Sequence, residues 1–422
     1  MKNGNGIPKP PAADATPAAG EKLGVAAQPG AGRAGVEEAR RKLGLALSEL
    51  NRRVIGREVE NKLILTTVVA KENIAVIGPP GTAKSYTFDI LAKLLSCSYR
   101  RYLMTRFTTD VEVIGPYDIP LFVREGVLVR KLSQLLEADI AYLDEAFKAS
   151  SAVLNALLSA LQERAIYDPI TGQVIPVKTK VFIVTSNEVP REEELQALYD
   201  RFPVRVWVDY LHRSRGDETY KLALEARWLL DSNVQPVANW SDVETLNAFS
   251  RALLQSVFPA LEKKSFIDIY ADNVLSLIAS LRAQGVIVSD RTIIEKLPKL
   301  VAARCAMDGV NVEVLYNAVI DILPHLGRDA EESKRIEKAM LEQMGEVKRL
   351  HDKLEEARTK YFSGALNEAK KLLEDLLTED VEKFRNRPFI AKRASAILAE
   401  ARALYEKIER HLSMIESERE GV

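Results

Sequence analysis

The most informative segment for predicting the fold of this chain is IAVIGPPGTAKS, residues 74–85. Its first four residues are apolar and predict a short buried parallel strand. A turn rich in glycine and proline follows, and a helix is predicted from Lys84 to about Leu95. A strand, a turn and a helix that opens with lysine and serine together form the layout of a phosphate-binding loop.

In such a loop the backbone amides at the start of the helix bind phosphates, the lysine reaches the β- and γ-phosphates, and the serine hydroxyl ligates Mg²⁺. The alternative interpretation is an ordinary turn between a strand and a helix. The loop interpretation assigns nucleotide contacts to nine consecutive residues, which are Gly78, Pro79, Pro80, Gly81, Thr82, Ala83, Lys84, Ser85 and Tyr86.

One position departs from the strict pattern, because Ala83 stands where a glycine precedes the lysine. Alanine disfavours a positive φ angle, which glycine adopts freely. Two alternatives therefore follow from the residue alone. Either the backbone at Ala83 is right-handed, or the stretch only imitates a phosphate-binding loop.

Two further apolar strands are predicted to end in polar residues that suit the same chemistry. One ends in Asp144 and Glu145, and the other is followed by Asn187. In an open α/β sheet, ligands bind at the carboxyl ends of the strands. Asp144 is therefore predicted to hold Mg²⁺ together with Ser85. Glu145 is predicted to polarise an attacking water, which the amide of Asn187 would orient.

Five segments of the chain together resemble the MoxR family of AAA+ ATPases, and within it the RavA-type subfamily, in which alanine before the loop lysine is familiar. The resemblance covers roughly residues 40–323. It implies an α/β fold with a P-loop AAA+ core, a parallel sheet, β-hairpin insertions and an all-α lid. The five segments are GPPGTAKS, MTRFTTDVEVIGP, YLDEAFKASSAVLNALLSALQER, TSNEVP and ALYDRFPVR.

Composition and periodicity set the domain boundaries. Residues 1–34 contain few large apolar side chains and are predicted to be a disordered tail. The core is expected over residues 35–212 and the lid over residues 213–326. Residues 327–422 are predicted to be a helical C-terminal extension, a hairpin or small bundle. Apolar residues recur there at spacings of three and four, in one narrow stripe formed by Ile336, Met340, Met344, Val347, Leu350 and Leu354.

Two β-hairpins are predicted inside the core. The first spans residues 121–129 and turns at residues 124–126, and the second turns at residues 168–172. The resemblance implies that both face the pore of a ring and that the first engages substrate. An ordinary surface hairpin is the alternative, although exposed apolar residues such as Phe122 and Val123 favour a binding role.

The resemblance assigns roles to four further residues. Ile55 and Gly56 are implied to pack against the adenine ring, although a simple helix–helix corner explains them equally well. Arg201 is implied to act on the ATP of a neighbouring subunit, with Arg205 as its rival and helix C-terminal charge compensation as the alternative. Arg291, in the first turn of a predicted helix, is implied to contact the γ-phosphate of its own subunit.

Composition limits the classes of function. The 422 residues are 47% apolar and 28% charged, which allows two or three units with a sizeable core. A formal net charge of −1 gives no general attraction to nucleic acid. No apolar run has the length of a membrane span, and the amino-terminal residues lack the apolar segment of a secretory signal. Cys97 and Cys305 cannot form a disulfide framework, which favours a reducing, cytoplasmic location.

We therefore expect an ATP- and Mg²⁺-dependent ATPase that assembles into a ring, by the resemblance a hexamer, and remodels or matures a protein client. MoxR proteins often act with a partner that contains a von Willebrand factor A domain, so the resemblance implies such a partner here. A nucleic-acid-associated AAA+ motor is one alternative, against which the near-neutral charge counts. A nucleotide-binding scaffold without turnover is the other, against which Glu145 and Arg201 count.

Overall fold

The structure, a computed structural model, describes residues 32–190, 192–211, 216–230, 233–258, 264–283, 285–286, 288–310, 312–343, 345–380 and 388–420. Of the tail predicted over residues 1–34, residues 1–31 lie outside these ranges. Arg33 and Ala34 already belong to the first helix, α1 (Arg33–Arg53).

Seven strands lie in the core: β1 (Ile74–Ile77), β2 (Tyr99–Leu103), β3 (Ile140–Asp144), β4 (Ala165–Tyr167), β5 (Val174–Pro176), β6 (Val181–Ser186) and β7 (Val204–Trp207). Five of them form a parallel sheet in the order β2-β3-β6-β1-β7. The predicted apolar strands are thus confirmed, and β1, β3 and β6 are adjacent. Because the strands are parallel, their carboxyl ends share one edge of the sheet.

Helices cover both faces of this sheet. After α1 come α2 (Glu58–Ala70), α3 (Lys84–Leu94), α4 (Asp110–Val113), α5 (Ile119–Glu125), α6 (Gln134–Glu137), α7 (Ser151–Glu163) and α8 (Glu193–Tyr199). Alternate residues of β1 face opposite sides, as the pleat requires. Ile74 and Val76 pack with α1, α2 and α3, whereas Ala75 and Ile77 pack with α7 and α8.

The first predicted hairpin is wrong, because its leading strand is the short helix α5. The Asp118 side chain caps this helix by accepting a hydrogen bond from the amide of Leu121 (3.0 Å), and Pro120 lies in its first turn. Gly126, with φ of 70°, ends it in the left-handed region. These end signals outweigh the β-branched residues between them. Pairing across the insertion is limited to one bridge, between Tyr117 and Arg130.

The second predicted hairpin is confirmed. β4 and β5 pair antiparallel around the turn at residues 168–172. The carboxylate of Asp168 organises this turn, because it accepts hydrogen bonds from the amides of Ile170 (2.9 Å) and Thr171 (3.3 Å). The same carboxylate accepts a hydrogen bond from the hydroxyl of Tyr117 (2.8 Å). The two insertions of the core are therefore joined.

The next part of the chain is mainly helical, with α9 (Gly216–Trp228), α10 (Trp240–Leu254), α11 (Phe266–Ala283), α12 (Leu297–Asp308) and α13 (Val312–Ile322). The expected all-α lid also contains a two-stranded hairpin of β8 (Val257–Phe258) and β9 (Lys264–Ser265). Buried residues of α10, α12 and α13 share one cluster with α1, α2 and β1. Within the described ranges, no helix is both long and apolar enough to cross a membrane.

The C-terminal extension is helical, as predicted, and consists of α14 (Ala330–Gln343), α15 (Glu346–Phe362), α16 (Leu366–Leu377) and α17 (Pro388–Glu420). The predicted single stripe is divided between two cores. Ile336 and Met340, on α14, join the main cluster, whereas Leu350 and Leu354, on α15, pack with α16 and α17. Gly345, with φ of 41°, separates the two helices.

Candidate active site

The loop between β1 and α3 has the backbone of an anion-binding turn. Gly81 and Ala83 have positive φ angles of 80° and 62°, and left-handed residues in such turns direct amide groups towards a common point. The first amides of α3, a helix of eleven residues, have no acceptor within the helix and favour an anion. Gly78 is needed for packing, since a Cβ there would lie 2.0 Å from the carbonyl oxygen of Val208.

The right-handed alternative for Ala83 is wrong, and phosphate binding by the stretch stays a prediction. The residue is left-handed, with φ of 62° and ψ of 19°, and not right-handed. The turn nevertheless leads directly into α3, and the carbonyl of Ala83 accepts a hydrogen bond from the amide of Thr87 (3.0 Å). A left-handed residue other than glycine costs about 1–2 kcal/mol. The surrounding contacts therefore hold this turn in the loop conformation against a local preference.

Lys84 folds back over the loop. Its Nζ donates hydrogen bonds to the carbonyl oxygens of Gly78 (2.5 Å) and Pro79 (2.9 Å), and to Oδ1 of Asn187 (3.2 Å). Burial lowers the pKa of the Lys84 ammonium, and the charges of the two carboxylates at the end of β3 act in the opposite direction. The loop thus holds a cation at the position where phosphates would enter.

Asp144 and Ser85 face each other, as predicted. Ser85 Oγ lies 3.5 Å from Asp144 Oδ2, and the other carboxylate oxygen accepts a hydrogen bond from the Thr185 hydroxyl (2.7 Å). The Tyr142 hydroxyl donates to Ser85 Oγ (3.0 Å). Burial raises the pKa of Tyr142 to about 12, so it stays a donor at neutral pH. Both predicted metal ligands are therefore held in place by a neighbouring hydroxyl.

Glu145 and Asn187 also meet. The Asn187 Nδ2 donates a hydrogen bond to Glu145 Oε1 (2.9 Å), while its Oδ1 accepts one from Lys84. Glu145 itself is left-handed, with φ of 53°, and non-glycine residues in this conformation concentrate at active sites. One amide thus links the lysine of the loop to the carboxylate predicted to polarise water.

These donors fit a magnesium nucleotide. Mg²⁺ is usually bound by one or two protein oxygens together with substrate phosphates and water, and the Ser85 hydroxyl and the Asp144 carboxylate are ligands of that kind. Across the residues that the structure describes, no three His, Cys, Asp or Glu side chains converge to hold a metal. A metal held by Ser85 and Asp144 would therefore depend on phosphate oxygens from the nucleotide.

The corner between α1 and α2 lies at the same edge of the sheet as the loop. Gly56 has φ of 73°, and its amide donates to the carboxylate of Glu58 (3.0 Å), while Ile55 is half-buried. Arg57 donates to the carbonyl of Asp209, which lies two residues after β7. The contact of Ile55 and Gly56 with adenine stays a prediction.

Other predicted loop residues have structural roles that the structure shows directly. The Thr82 hydroxyl donates to the carbonyl of Pro79 (2.9 Å), which tightens the turn. Tyr86, in the first turn of α3, packs on the main core, and the guanidinium of Arg227 lies 5.6 Å from its ring centroid. Its contact with nucleotide stays a prediction, as do those of Pro79 and Pro80.

Arg201 and Arg205 occupy different environments. Arg205, in β7, is buried, donates to the carbonyls of Leu326 and Gly327 (3.3 Å each) and pairs with Asp200 (3.3 Å). It ties β7 to the segment before α14. Arg201 follows α8 and is half-buried, and its Nε has no hydrogen-bond partner among the described residues. The Nε of Arg205 likewise has no partner there, so the two differ in burial and in the contacts of the Arg205 Nη atoms, and a role of Arg201 outside the subunit stays a prediction.

Arg291 belongs to a chain of ion pairs that leads to the amino end of β1. Its Nε is 3.1 Å from Glu295 Oε2, and Lys299 bridges Glu295 (3.1 Å) to Glu72 (3.4 Å). Glu72 precedes β1, whereas the loop follows it. At a rise of about 3.3 Å per residue, residues 72–78 span about 20 Å. The contact of Arg291 with the γ-phosphate of its own subunit stays a prediction.

Asn73 holds the backbone beside Arg201, a role that sequence analysis missed. Its Nδ2 donates to the carbonyls of Leu161 and Arg201 (3.1 Å each), and its Oδ1 accepts from the Arg164 guanidinium (2.8 Å). It therefore fixes the backbone at Arg201 relative to the start of β1. Asparagine before a strand is a common turn residue, so the sequence carries no signal of this role.

The chain resembles known proteins over much of its length. Residues 41–251 match the family described as the MoxR domain in the MoxR-vWA-beta-propeller ternary systems. An uncharacterised protein of Methanocaldococcus jannaschii is 33% identical over 279 residues, which cover 66% of this chain and 69% of that protein. The chaperone MoxR1 of Mycobacterium tuberculosis is 26% identical over 172 residues, which cover 39% of this chain and 44% of MoxR1.

A solved structure has the same architecture. The crystal structure of a proposed ATPase from Cytophaga hutchinsonii superimposes with a TM-score of 0.52 at 21% identity, and the match covers 69% of this chain and 88% of that one. At this identity the similarity shows the fold alone. It confirms the expected α/β class, with a parallel sheet followed by a helical region.

Proposed function

The chain belongs to the MoxR family of AAA+ ATPases, and we propose on this premise that it hydrolyses Mg²⁺-ATP in an oligomeric ring to remodel a protein client. One observation carries the proposal: the strand ends bring five side chains together at one edge of the sheet. They are Lys84, Ser85, Asp144, Glu145 and Asn187. Membership of the RavA-type subfamily stays a prediction.

Each of these side chains has a role in the proposed reaction. Lys84 and the amides of the loop bind the phosphates, and Ser85 with Asp144 holds Mg²⁺, which when bound neutralises phosphate charge. Glu145 accepts a proton from the attacking water. Asn187 lies between Lys84 and Glu145 (3.2 Å and 2.9 Å) and sets the position of that water relative to the phosphate.

Two arginines are proposed to complete the active site of a neighbouring subunit. Arg201 is half-buried, whereas Arg205 is buried, and Asn73 holds the backbone carbonyl of Arg201 in place. The ion pairs that link Arg291 through Glu295 and Lys299 to Glu72 end before β1, which supports contact of Arg291 with the γ-phosphate of another copy of the chain. A planar, permanently charged guanidinium suits the charge that develops on a transferred phosphoryl group. We propose a hexamer as the assembly.

The client is proposed to bind the two joined insertions of the core. Tyr117 in the first insertion donates to Asp168 in the second. Both present exposed apolar side chains, which mark a binding surface on a soluble domain. We call these side chains the insertion surface, and they are Ile119, Phe122, Val123, Ile170 and Val174.

A von Willebrand factor A domain protein is the proposed partner, because the matching family is described from systems that contain one. A cytoplasmic location is also proposed. It is supported by Cys97 and Cys305, which are both unpaired thiols in the structure. Binding of nucleic acid is not part of the proposal, given a net charge of −1.

The test is the ATPase rate per subunit as a function of protein concentration, with light scattering for mass. Wild type is compared with Arg201→Ala, Arg201→Lys and Glu145→Gln. We expect rate and mass to rise together. Arg201→Ala should assemble but turn over about a thousandfold more slowly, and Arg201→Lys should restore little, since lysine lacks the planar fork. Glu145→Gln should lose about a hundredfold or more.

Mixing experiments test the contribution in trans. Arg291→Ala subunits lack the arginine but keep an intact loop, whereas Lys84→Ala subunits lack the loop but keep Arg291. Inactive alone, the two variants should regain activity when mixed, because mixed neighbours form complete sites. A concentration-independent rate in a monomer, unchanged by Arg201→Ala, would contradict the ring mechanism.

A further inference from the structure

Arg101, an exposed residue of the edge strand β2, reaches the predicted metal site. Its Cα pairs with that of Tyr142 in the parallel register, so both side chains lie on the face of the sheet that carries α3. The guanidinium lies 5.4 Å from the centroid of the Tyr142 ring. From there one nitrogen, Nη2, pairs with Oδ2 of Asp144.

The oxygen of Asp144 that Arg101 contacts is the one that faces the metal position. Oδ1 accepts a hydrogen bond from the hydroxyl of Thr185 on β6 (2.7 Å). Oδ2 lies 3.5 Å from Ser85 Oγ, and the predicted metal would bind between these two oxygens. The guanidinium therefore already neutralises the carboxylate oxygen that a cation needs.

A second carboxylate, that of Asp89, lies near the same guanidinium. The other nitrogen, Nη1, lies 3.8 Å from Oδ2 of Asp89. Asp89 follows Ser85 by four residues on α3, so both project from one face of that helix. Both partners of this longer ion pair are more than a third exposed, so Arg101 can shift towards Asp89 without crossing packed side chains.

We propose that Arg101 is a positioning residue that serves as a displaceable counter-ion for Asp144, and that Mg²⁺ entering with the nucleotide shifts it from Asp144 to Asp89. This inference rests on the proposed function, because it requires the metal to bind at Ser85 and Asp144. The displaced state keeps the charge of Arg101 paired. Without metal, Arg101 pairs with the carboxylate of Asp144. Asp144 therefore has a cation beside it both with and without Mg²⁺.

The metal dependence of nucleotide binding follows from this competition. A guanidinium and Mg²⁺ repel each other and bind the same oxygen, so removal of the arginine charge should strengthen metal binding. Arg101→Gln should lower the Mg²⁺ concentration for half-saturation about tenfold. Asp89→Asn removes the alternative partner and should raise that concentration about threefold. Arg101→Lys keeps a cation and should stay close to wild type.

The experiment titrates MgCl₂ into the full chain with a fixed concentration of the fluorescent nucleotide N-methylanthraniloyl-ADP, after removal of metal with EDTA. Arg100→Gln is the matched control, because Arg100 is the preceding residue of β2 and its Nε contacts Gln134 instead (3.1 Å). Melting temperatures are measured in EDTA and with Mg²⁺-ADP. Arg101→Gln should lower the melting temperature in EDTA and not with Mg²⁺-ADP.

The outcomes separate this inference from the proposed function. If wild type binds the nucleotide and Arg101→Gln has the half-saturation of Arg100→Gln, the displacement is refuted while the ATPase proposal stands. An equal fall in melting temperature with and without Mg²⁺-ADP would refute it as well, since Arg101 would then be an ordinary surface ion pair. If wild type binds no nucleotide under any metal concentration, both proposals fail.

Discussion

At the scale of single residues, two positions of the site adopt a backbone that their side chains disfavour. Ala83 and Glu145 have φ angles of 62° and 53°, a region that glycine enters without strain. Ala83 directs the amides that lead into α3, and Glu145 follows the last residue of β3. In both places a strand must turn sharply so that a functional group faces the same edge of the sheet.

The strain at Ala83 can be measured directly. Ala83→Gly relieves about 1–2 kcal/mol of left-handed penalty, and the greater freedom of glycine in the unfolded chain returns about 0.4–1 kcal/mol. We therefore expect the free energy of unfolding in urea to rise by about 0.5–1 kcal/mol. Ala156→Gly, in the regular helix α7, should instead lower it by about 1 kcal/mol. Equal losses in both variants would contradict the left-handed backbone.

At the scale of elements, α5 shows how helix ends outweigh an apolar pattern. Residues 121–123 and 127–129 contain three valines and one phenylalanine, which favour strands. A pair of strands is stable only when one of its faces packs against other elements, however, and this insertion lies on the surface. Asp118, Pro120 and Gly126 supply a cap, a first-turn residue and a left-handed end. These local helix signals are present in the sequence and outweigh the strand propensity of the residues between them.

The capping role of Asp118 leads to a prediction about exchange rates. Asp118→Ala removes the acceptor for the amide of Leu121, a loss of about 1 kcal/mol for a helix cap. Amide hydrogen exchange in residues 119–125 should then be about fivefold faster. Asp118→Asn keeps a capping oxygen but loses the ion pair with Lys131 (2.8 Å), and should leave exchange nearly unchanged. If both variants exchange equally fast, the ion pair and not the cap holds α5.

The C-terminal stripe shows the opposite case, in which the sequence signal is correct but incomplete. The apolar spacing correctly predicts helices with one buried side. It cannot tell that Met340 and Leu350 bury their side chains in different clusters, because the spacing of residues says nothing about which neighbour covers them. Gly345, with its positive φ angle, immediately precedes α15.

At the scale of the whole molecule, the described residues form three hydrophobic clusters. Two lie on opposite faces of the sheet, and the larger of them extends into the lid helices. The third consists of residues from α15, α16 and α17. Arg205 and the segment around Leu326 hold the sheet to the helices that lead towards this bundle.

The separation of the third cluster predicts independent stability. Leu373→Ala, in α16, creates a buried cavity and should destabilise the bundle by about 3 kcal/mol. Circular dichroism, which reports all helices, should show an earlier transition. Fluorescence of the three tryptophans should not, because they are Trp207, Trp228 and Trp240, all outside the bundle. The affinity for the fluorescent ADP should also stay unchanged.

Leu91→Ala is the matched control, because Leu91 is equally buried but lies in α3. That change should shift the fluorescence transition and weaken nucleotide binding. If Leu373→Ala shifts both optical signals in parallel, the chain unfolds as one cooperative unit, and the bundle is not independent.

The sequence pattern correctly predicts the strands of the core and the polar residues at their ends. Apolar runs such as residues 74–77 can only be buried, and parallel strands place their carboxyl ends at one edge. The meeting of Lys84, Asp144 and Asn187 therefore follows from local pattern and a general rule. The same holds for α3, α7 and the β4–β5 hairpin.

The contacts between residues distant in sequence are visible in the three-dimensional structure and not in the sequence pattern. The guanidinium of Arg205 donates to carbonyls more than a hundred residues away in the sequence, which the local pattern does not reveal. Arg291 contacts Glu295, which Lys299 bridges to Glu72 before β1, and Arg101 meets Asp144 because two strands are in register. Sequence patterns record which side of an element is buried. They do not record which element covers it, because that choice is made by packing through space.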